Sequence, residues 1–166
     1  MFSIRTATMA DVDLLTTIEA ESFPPEEKAT RESFEKRLAV FADDFLILEA
    51  DGKAVGLIDG MITDNPTITD EMYEDASLHN PKGRWQSVFG LAVLPECRRR
   101  GYASALMRAF IEKARMEGRE GVILCCKEAL IPFYQSFGFT SRGVSASVHG
   151  GAVWYDMTLR LRPGEH

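Results

Sequence analysis

Between residues 96 and 107 the chain reads ECRRRGYASALM, with Arg98, Arg99 and Arg100 standing where the apolar residues take up helical spacing. The amino end of a helix already carries partial positive charge, so cations there are unfavourable unless an anion joins them. The apolar stretch RWQSVFGLAVLP (84–95) leads into this turn as a strand. A strand–turn–helix connection points several unbonded backbone N–H groups at one spot. Those donors and the helix dipole together suit a phosphate. Gly101 and Ala103 leave room for a pyrophosphate to approach the main chain. The plainer alternative is a solvated basic loop ahead of a helix, since charge runs are common on surfaces. A kinase-type phosphate loop is excluded, because the Gly-Lys-Ser/Thr ending is missing. A dinucleotide fingerprint is excluded too, because one glycine of its set is present and the others are not.

The spacing Arg98-x-x-Gly101-x-Ala103 fits the Q/R-x-x-G-x-G/A pattern of the GNAT N-acetyltransferases, in the strand-to-helix context that pattern requires. A second run, CKEALIPFYQSFGF (126–139), resembles the late helix of the serotonin (arylalkylamine) branch of that superfamily. SLHNPKGR (77–84) resembles the segment before the central strand of the same enzymes. The likeness covers residues 77–160; over the amino-terminal third the order of elements matches better than the residues do.

The resemblance implies an α/β, single-domain GNAT acyl-CoA N-acyltransferase fold over 1–166. Its central, mostly antiparallel sheet would have splayed central strands flanked by helices. It implies acetyl-CoA as cosubstrate and no metal. The pantetheine arm would pair like an added strand with the main chain of Leu91, Ala92 and Val93. Main-chain groups of Arg99, Arg100, Gly101, Tyr102, Ala103 and Ser104 would cradle the pyrophosphate, while the arginine side chains, Arg98 included, reach outer phosphates.

Tyr134 occupies the tyrosine position of the family's late helix and is thereby the expected general acid toward the CoA thiolate. A phenol with an ordinary pKa near ~10 is protonated at neutral pH and able to donate. A backbone N–H near Val93 would polarise the thioester carbonyl. The base is missing: where the arylalkylamine branch has two histidines, this chain has Ser87 and Phe89. A water chain ending on Glu21, Glu26, Asp59 or His79 would have to replace them. Phe23, Pro24 and Phe89 would line an apolar acceptor pocket. Cys126 lacks an adjacent base, so direct transfer in a ternary complex is expected. The expected activity is acetylation of a small primary amine, arylalkylamines among the candidates. Acetylation of a protein amino terminus or lysine, or a CoA-binding sensor without catalysis, are the alternatives.

These residues need elements to hold them. The chain predicts a strand at 2–7, then a helix to about Ser22 opened by a Thr8–Asp11 capping box. After the loop SFPPEEKAT, Thr30 caps a second helix that buries Phe34, Leu38 and Phe41. Strands at 45–50 and 54–62 flank Asp51-Gly52, a hairpin signal. Residues 63–83 form a long polar excursion with one short helix. One strand is predicted at 84–95, where Gly90 marks a bulge or close backbone approach. A helix over 101–118 buries Ala103, Leu106, Met107, Phe110, Ile111 and Ala114 and stops at Gly118. A strand at 121–126, a short helix within 129–139 and closing strands at 140–148 and 152–161 complete the order.

The bulk composition agrees with such an enzyme. At 166 residues the chain is long enough for a substantial core. A formal net charge of −6 argues against a general nucleic-acid binder and favours cationic substrates. Cys97, Cys125 and Cys126 make an odd number without zinc-ligand spacing, which indicates a reducing compartment. No signal core or membrane-length apolar run is present, so a cytoplasmic monomer or homodimer without membrane partners is expected.

Overall fold

The computed structural model describes residues 1–161. In chain order its elements are β1 (Phe2–Thr6), α1 (Val12–Ser22), α2 (Arg31–Phe41), β2 (Phe45–Ala50), β3 (Lys53–Asp59), β4 (Ile62–Thr63) and α3 (Asp70–Glu74). There follow β5 (Trp85–Val88), β6 (Gly90–Val93), α4 (Tyr102–Met116), β7 (Gly121–Cys126), α5 (Ile131–Gln135), β8 (Thr140–Val144) and β9 (Tyr155–Arg160). The chain forms two compact units, one of residues 1–60 and 90–110, the other of 61–89 and 111–161 among the described residues. Helix α4 contributes to both.

In the first unit β1, β2, β3 and β6 lie side by side in that order, and every pair is antiparallel. The hairpin between β2 and β3 forms at Asp51 and Gly52, both with positive φ (54° and 81°), as the sequence predicts. Before α1 the Thr8 N–H donates to the Asp11 carboxylate at 2.8 Å. Two guanidinium N–H groups of Arg5 reach the same carboxylate at 2.9 and 2.8 Å, so β1 is tied to the helix start. The Ser33 N–H donates to Thr30 Oγ1 at 3.1 Å, the expected cap of α2. The core of this unit gathers Leu15, Phe34, Phe45, Leu57, Leu106 and Phe110, all with no exposure.

In the second unit the order is β4-β5-β7-β9-β8, with β5 parallel to β7 and the other pairs antiparallel. Met61, Ile62, Val122, Ile123 and Met157 are its buried centre. The expected mixed α/β architecture holds. The single strand expected at 84–95 is two, because β5 hydrogen-bonds into the mixed sheet while β6 pairs with β3. The two halves enter different ladders, and Phe89 stands between them. The strand expected at 54–62 breaks for the same reason. The Gly60 N–H donates to Asp44 O at 3.3 Å in the first unit, whereas Met61 O accepts from the Ser87 N–H at 2.9 Å in the second. The strand expected at 140–148 stops at Val144, after a register shift against β9, and the last strand begins at Tyr155 instead of 152.

Candidate active site

The arginine turn is built as the sequence predicts. Arg99 (φ 66°) and Gly101 (φ 81°) both take left-handed backbone, and α4 begins at Tyr102. A non-glycine residue in that region is uncommon, and alternating backbone of this kind forms anion-binding concavities of N–H groups. The Ala105 N–H makes the first bond into the helix, to Gly101 O at 3.0 Å, so the N–H groups of Tyr102, Ala103 and Ser104 precede the ladder. A side chain on Gly101 would meet nothing within 4 Å: the turn opens outward. Tyr102 packs edge-on against Phe2 with centroids 5.6 Å apart. Arg99 and Arg100 are exposed and pair with no carboxylate among the described residues. Arg98 differs from the outward reach expected of it. Its Nε donates to Val93 O at 3.1 Å, folding the guanidinium back onto β6.

Strand β6 is the edge of its sheet. The Leu94 N–H bonds inward to Val55 O at 2.9 Å, and antiparallel pairing alternates. The N–H groups of Leu91 and Val93 therefore face the open edge, as does the Val93 carbonyl that Arg98 meets. A ligand with amide groups can add there as a strand does.

Behind the start of β6 lie three buried charges. Asp59 on β3 accepts from Arg37 Nη1 on α2 at 3.2 Å, and both side chains are almost fully buried. Glu19, on the buried face of α1, is 6% exposed. Its Oε2 accepts from the Ala29 N–H at 2.9 Å, but Oε1 has no hydrogen-bond partner among the described residues. Both carboxylates border Gly90: a Cβ there would stand 3.4 Å from Asp59 Oδ1 and 3.6 Å from Glu19 Oε1. Burial pushes Glu19 up to about 7; the neighbouring Asp59 adds to the rise, while the Ala29 N–H and Arg37 oppose it. Burial likewise raises Asp59 to about 6 against the pull of Arg37.

Glu19 and Arg37 were absent from the sequence-derived site, although a signal existed. Glu19 falls in helical register with Val12, Leu15 and Ile18, and Arg37 with Phe34, Leu38 and Phe41, so each charge sits in an apolar stripe. Of the sequence-derived base candidates, Asp59 joins this cluster. Glu21 and Glu26 are exposed. His79 Nδ1 accepts from the Ile62 N–H at 3.1 Å, which makes that ring a clasp for β4. Ser87 is buried and donates its hydroxyl to Met61 O at 2.8 Å.

Tyr134 belongs to the second unit. Its ring is buried edge-on between Phe133 and Phe139, at 5.1 and 5.9 Å. Its hydroxyl makes no hydrogen bond among the described residues, although buried tyrosines ordinarily find a partner. Burial, with Cys126 nearby, holds the phenol well above its usual range, so it is protonated at any physiological pH. Cys126 is pushed up to about 11 by burial, and Cys125 to about 12, chiefly by burial and further by Asp156. Neither thiol is ionised at neutral pH. In the same unit Phe89 lies 5.0 Å from Tyr73, which stacks on His149 at 4.9 Å, and His149 lies 6.0 Å from Trp154. Phe23 and Pro24 belong to the first unit, Phe23 half-buried at the end of α1 and Pro24 exposed.

The chain belongs to the acetyltransferase (GNAT) family, whose model matches residues 12–139. That span contains the arginine turn, β6, the buried charges and Tyr134. The serotonin N-acetyltransferase of Mesocricetus auratus is 30% identical over 113 residues, which cover 68% of this chain and 53% of that one. The chain thus spans about half the length of this relative. Among solved structures, the loading GNATL domain of CurA from Lyngbya majuscula has a TM-score of 0.82 at 17% identity, covering 96% of this chain and 98% of that one. The GphF GNAT-like decarboxylase, in complex with isobutyryl-CoA, has a TM-score of 0.80 at 21% identity, covering 96% and 100%. At such identities the likeness is one of fold.

Proposed function

We propose that residues 1–166 form one N-acetyltransferase domain that moves the acetyl group of acetyl-CoA directly onto a small primary amine in a ternary complex. The observation that carries this reading is the turn ahead of α4, with Arg99 and Gly101 at positive φ beside the open edge of β6, in a chain of the GNAT family. In it the β6 edge binds the pantetheine amides through the outward main-chain groups of Leu91 and Val93, whereas Ala92, expected to share that role, turns its own N–H and C=O toward Leu57 on β3. The N–H groups from Arg99 to Ser104 hold the pyrophosphate, and Arg99 and Arg100 supply the countercharge. The Val93 N–H polarises the thioester carbonyl. Tyr134 donates its proton to the departing sulfur; a protonated phenol with an uncommitted hydroxyl suits that task.

Direct transfer is supported by Cys125 and Cys126, because an acetyl-enzyme on either would need a thiolate and both thiols, the first half-buried and the second buried, hold their protons at neutral pH. An arylalkylamine is the acceptor class to favour. The row Phe89–Tyr73–His149 offers aromatic surface, and the relative from Mesocricetus auratus is a serotonin N-acetyltransferase. The test is thiol release from acetyl-CoA across a panel of aryl and alkyl amines. Turnover highest with arylalkylamines is expected; no release with any amine overturns the reading.

A further inference from the structure

The acceptor reaches the enzyme as an ammonium ion, and something must take its proton before nitrogen can attack. Neither Ser87 nor Phe89 does so, since one is a buried hydroxyl already donating to Met61 O and the other is a hydrocarbon ring. The first unit holds a better group. We propose that Glu19 is the general base of the acetyl transfer, its free Oε1 taking the proton of the acceptor ammonium beside Gly90. The proposal rests on the N-acetyltransferase reading above.

Three observations converge on Glu19. An unpartnered oxygen on a buried carboxylate is costly, and native proteins rarely keep one without a use for it. Glu19 is held firmly by its other oxygen through the Ala29 N–H, so Oε1 keeps a fixed position. Gly90 borders that oxygen with backbone alone, and a Cβ there would stand 3.6 Å from it, so Oε1 lies against the start of β6 with no side chain of that residue between them. The charged groups facing Glu19 are Asp59 from β3 and Arg37 from α2. Asp59 is bound to Arg37 and lies lower, at about 6 against about 7, so near pH 7 it is the more ionised of the two carboxylates and Glu19 is the one poised to exchange protons. A carboxyl group near 7 is matched to catalysis at neutral pH, where both protonation states are populated.

The step balances. Glu19 Oε1 accepts one proton from R–NH3⁺. The freed lone pair forms the C–N bond at the thioester carbonyl carbon. The C–S electron pair leaves with sulfur, which takes a proton from the general acid. The second nitrogen proton passes to solvent, Glu19 returns its own, and the general acid is refilled from solvent. Each turnover releases one net proton, with acetyl amide and free thiol as products.

The experiment is a pH profile of kcat/KM from about pH 5.5 to 9, using two amines of different basicity. The wild-type rate is expected to rise with unit slope through a midpoint near 7 that stays in place when the amine is changed. Glu19→Gln is expected to lower kcat by ~100-fold and to abolish that midpoint. CoA affinity by calorimetry should stay within a few-fold. Glu19→Asp should retain the midpoint at reduced rate. A Glu19→Gln variant with near wild-type kcat, or with the midpoint intact, overturns the proposal. So does a midpoint lost in Asp59→Asn and kept in Glu19→Gln. These outcomes leave the acetyltransferase reading standing, whereas a wild-type protein that acetylates no amine removes that reading and the base together.

Discussion

The Tyr134 hydroxyl and Glu19 Oε1 each lack a hydrogen-bond partner among the described residues, and Glu19 Oε1 is fully buried as well. For Tyr134 this separates stability from catalysis. Removing a hydroxyl that bonds to no protein group among the described residues costs no intramolecular hydrogen bond, so Tyr134→Phe should leave the thermal midpoint nearly unchanged. The same change removes the proton donor, and kcat should fall by roughly 100-fold with CoA affinity within a few-fold. Scanning calorimetry and steady-state kinetics on one preparation check both halves, and unchanged kcat would remove Tyr134 as the acid. Sequence reached Tyr134 through its motif, which is local. It did not reach Glu19, because a glutamate in a helix is by default a solvated charge; only its register with Leu15 and Ile18 tells otherwise.

The turn before α4 was legible because everything that makes it, glycine, small residues and the onset of helical periodicity, lies within ten residues of chain. The division of 84–95 into β5 and β6 was not, since it depends on which distant strands, β7 and β3, each half pairs with. Gly101 tests the turn as an element. A branched side chain at φ 81° costs about 1–2 kcal/mol, which for a protein of this length lowers the melting midpoint by a few degrees. The free protein offers such a side chain open space, so nothing else need yield. It would, however, project where the pyrophosphate is proposed to lie. Gly101→Val should therefore weaken CoA binding by well over the ~10-fold that 1.4 kcal/mol of backbone strain represents. Normal CoA affinity by calorimetry would show that the phosphate is held elsewhere.

For the whole molecule the buried carboxylates make a testable claim about stability and pH that needs no substrate. Glu19 rises from 4.5 to about 7 on folding and Asp59 from 3.8 to about 6, so between about pH 4 and 7 the folded chain binds more protons than the unfolded one. Unfolding free energy then falls as pH rises through that window. The penalty is absent below the unfolded values and complete above the folded ones. For Glu19 alone it is of the order of 3 kcal/mol. Asp11 works in the opposite sense: Arg5 holds it below its ordinary value, and that contribution is present above about pH 4 and lost under stronger acid. The wild-type melting temperature should therefore climb on acidification from pH 8 toward 5, then drop below pH 4. Self-repulsion from the net charge of −6 slopes the same way as Glu19, so the wild-type curve alone does not isolate it. The difference between wild type and Glu19→Gln does, because the surface charge is common to both. That difference should grow between pH 5 and 8 and be flat below pH 4. A difference that is flat throughout would mean that Glu19 titrates as an ordinary carboxylate, and the chain would then have no base of neutral pKa behind β6.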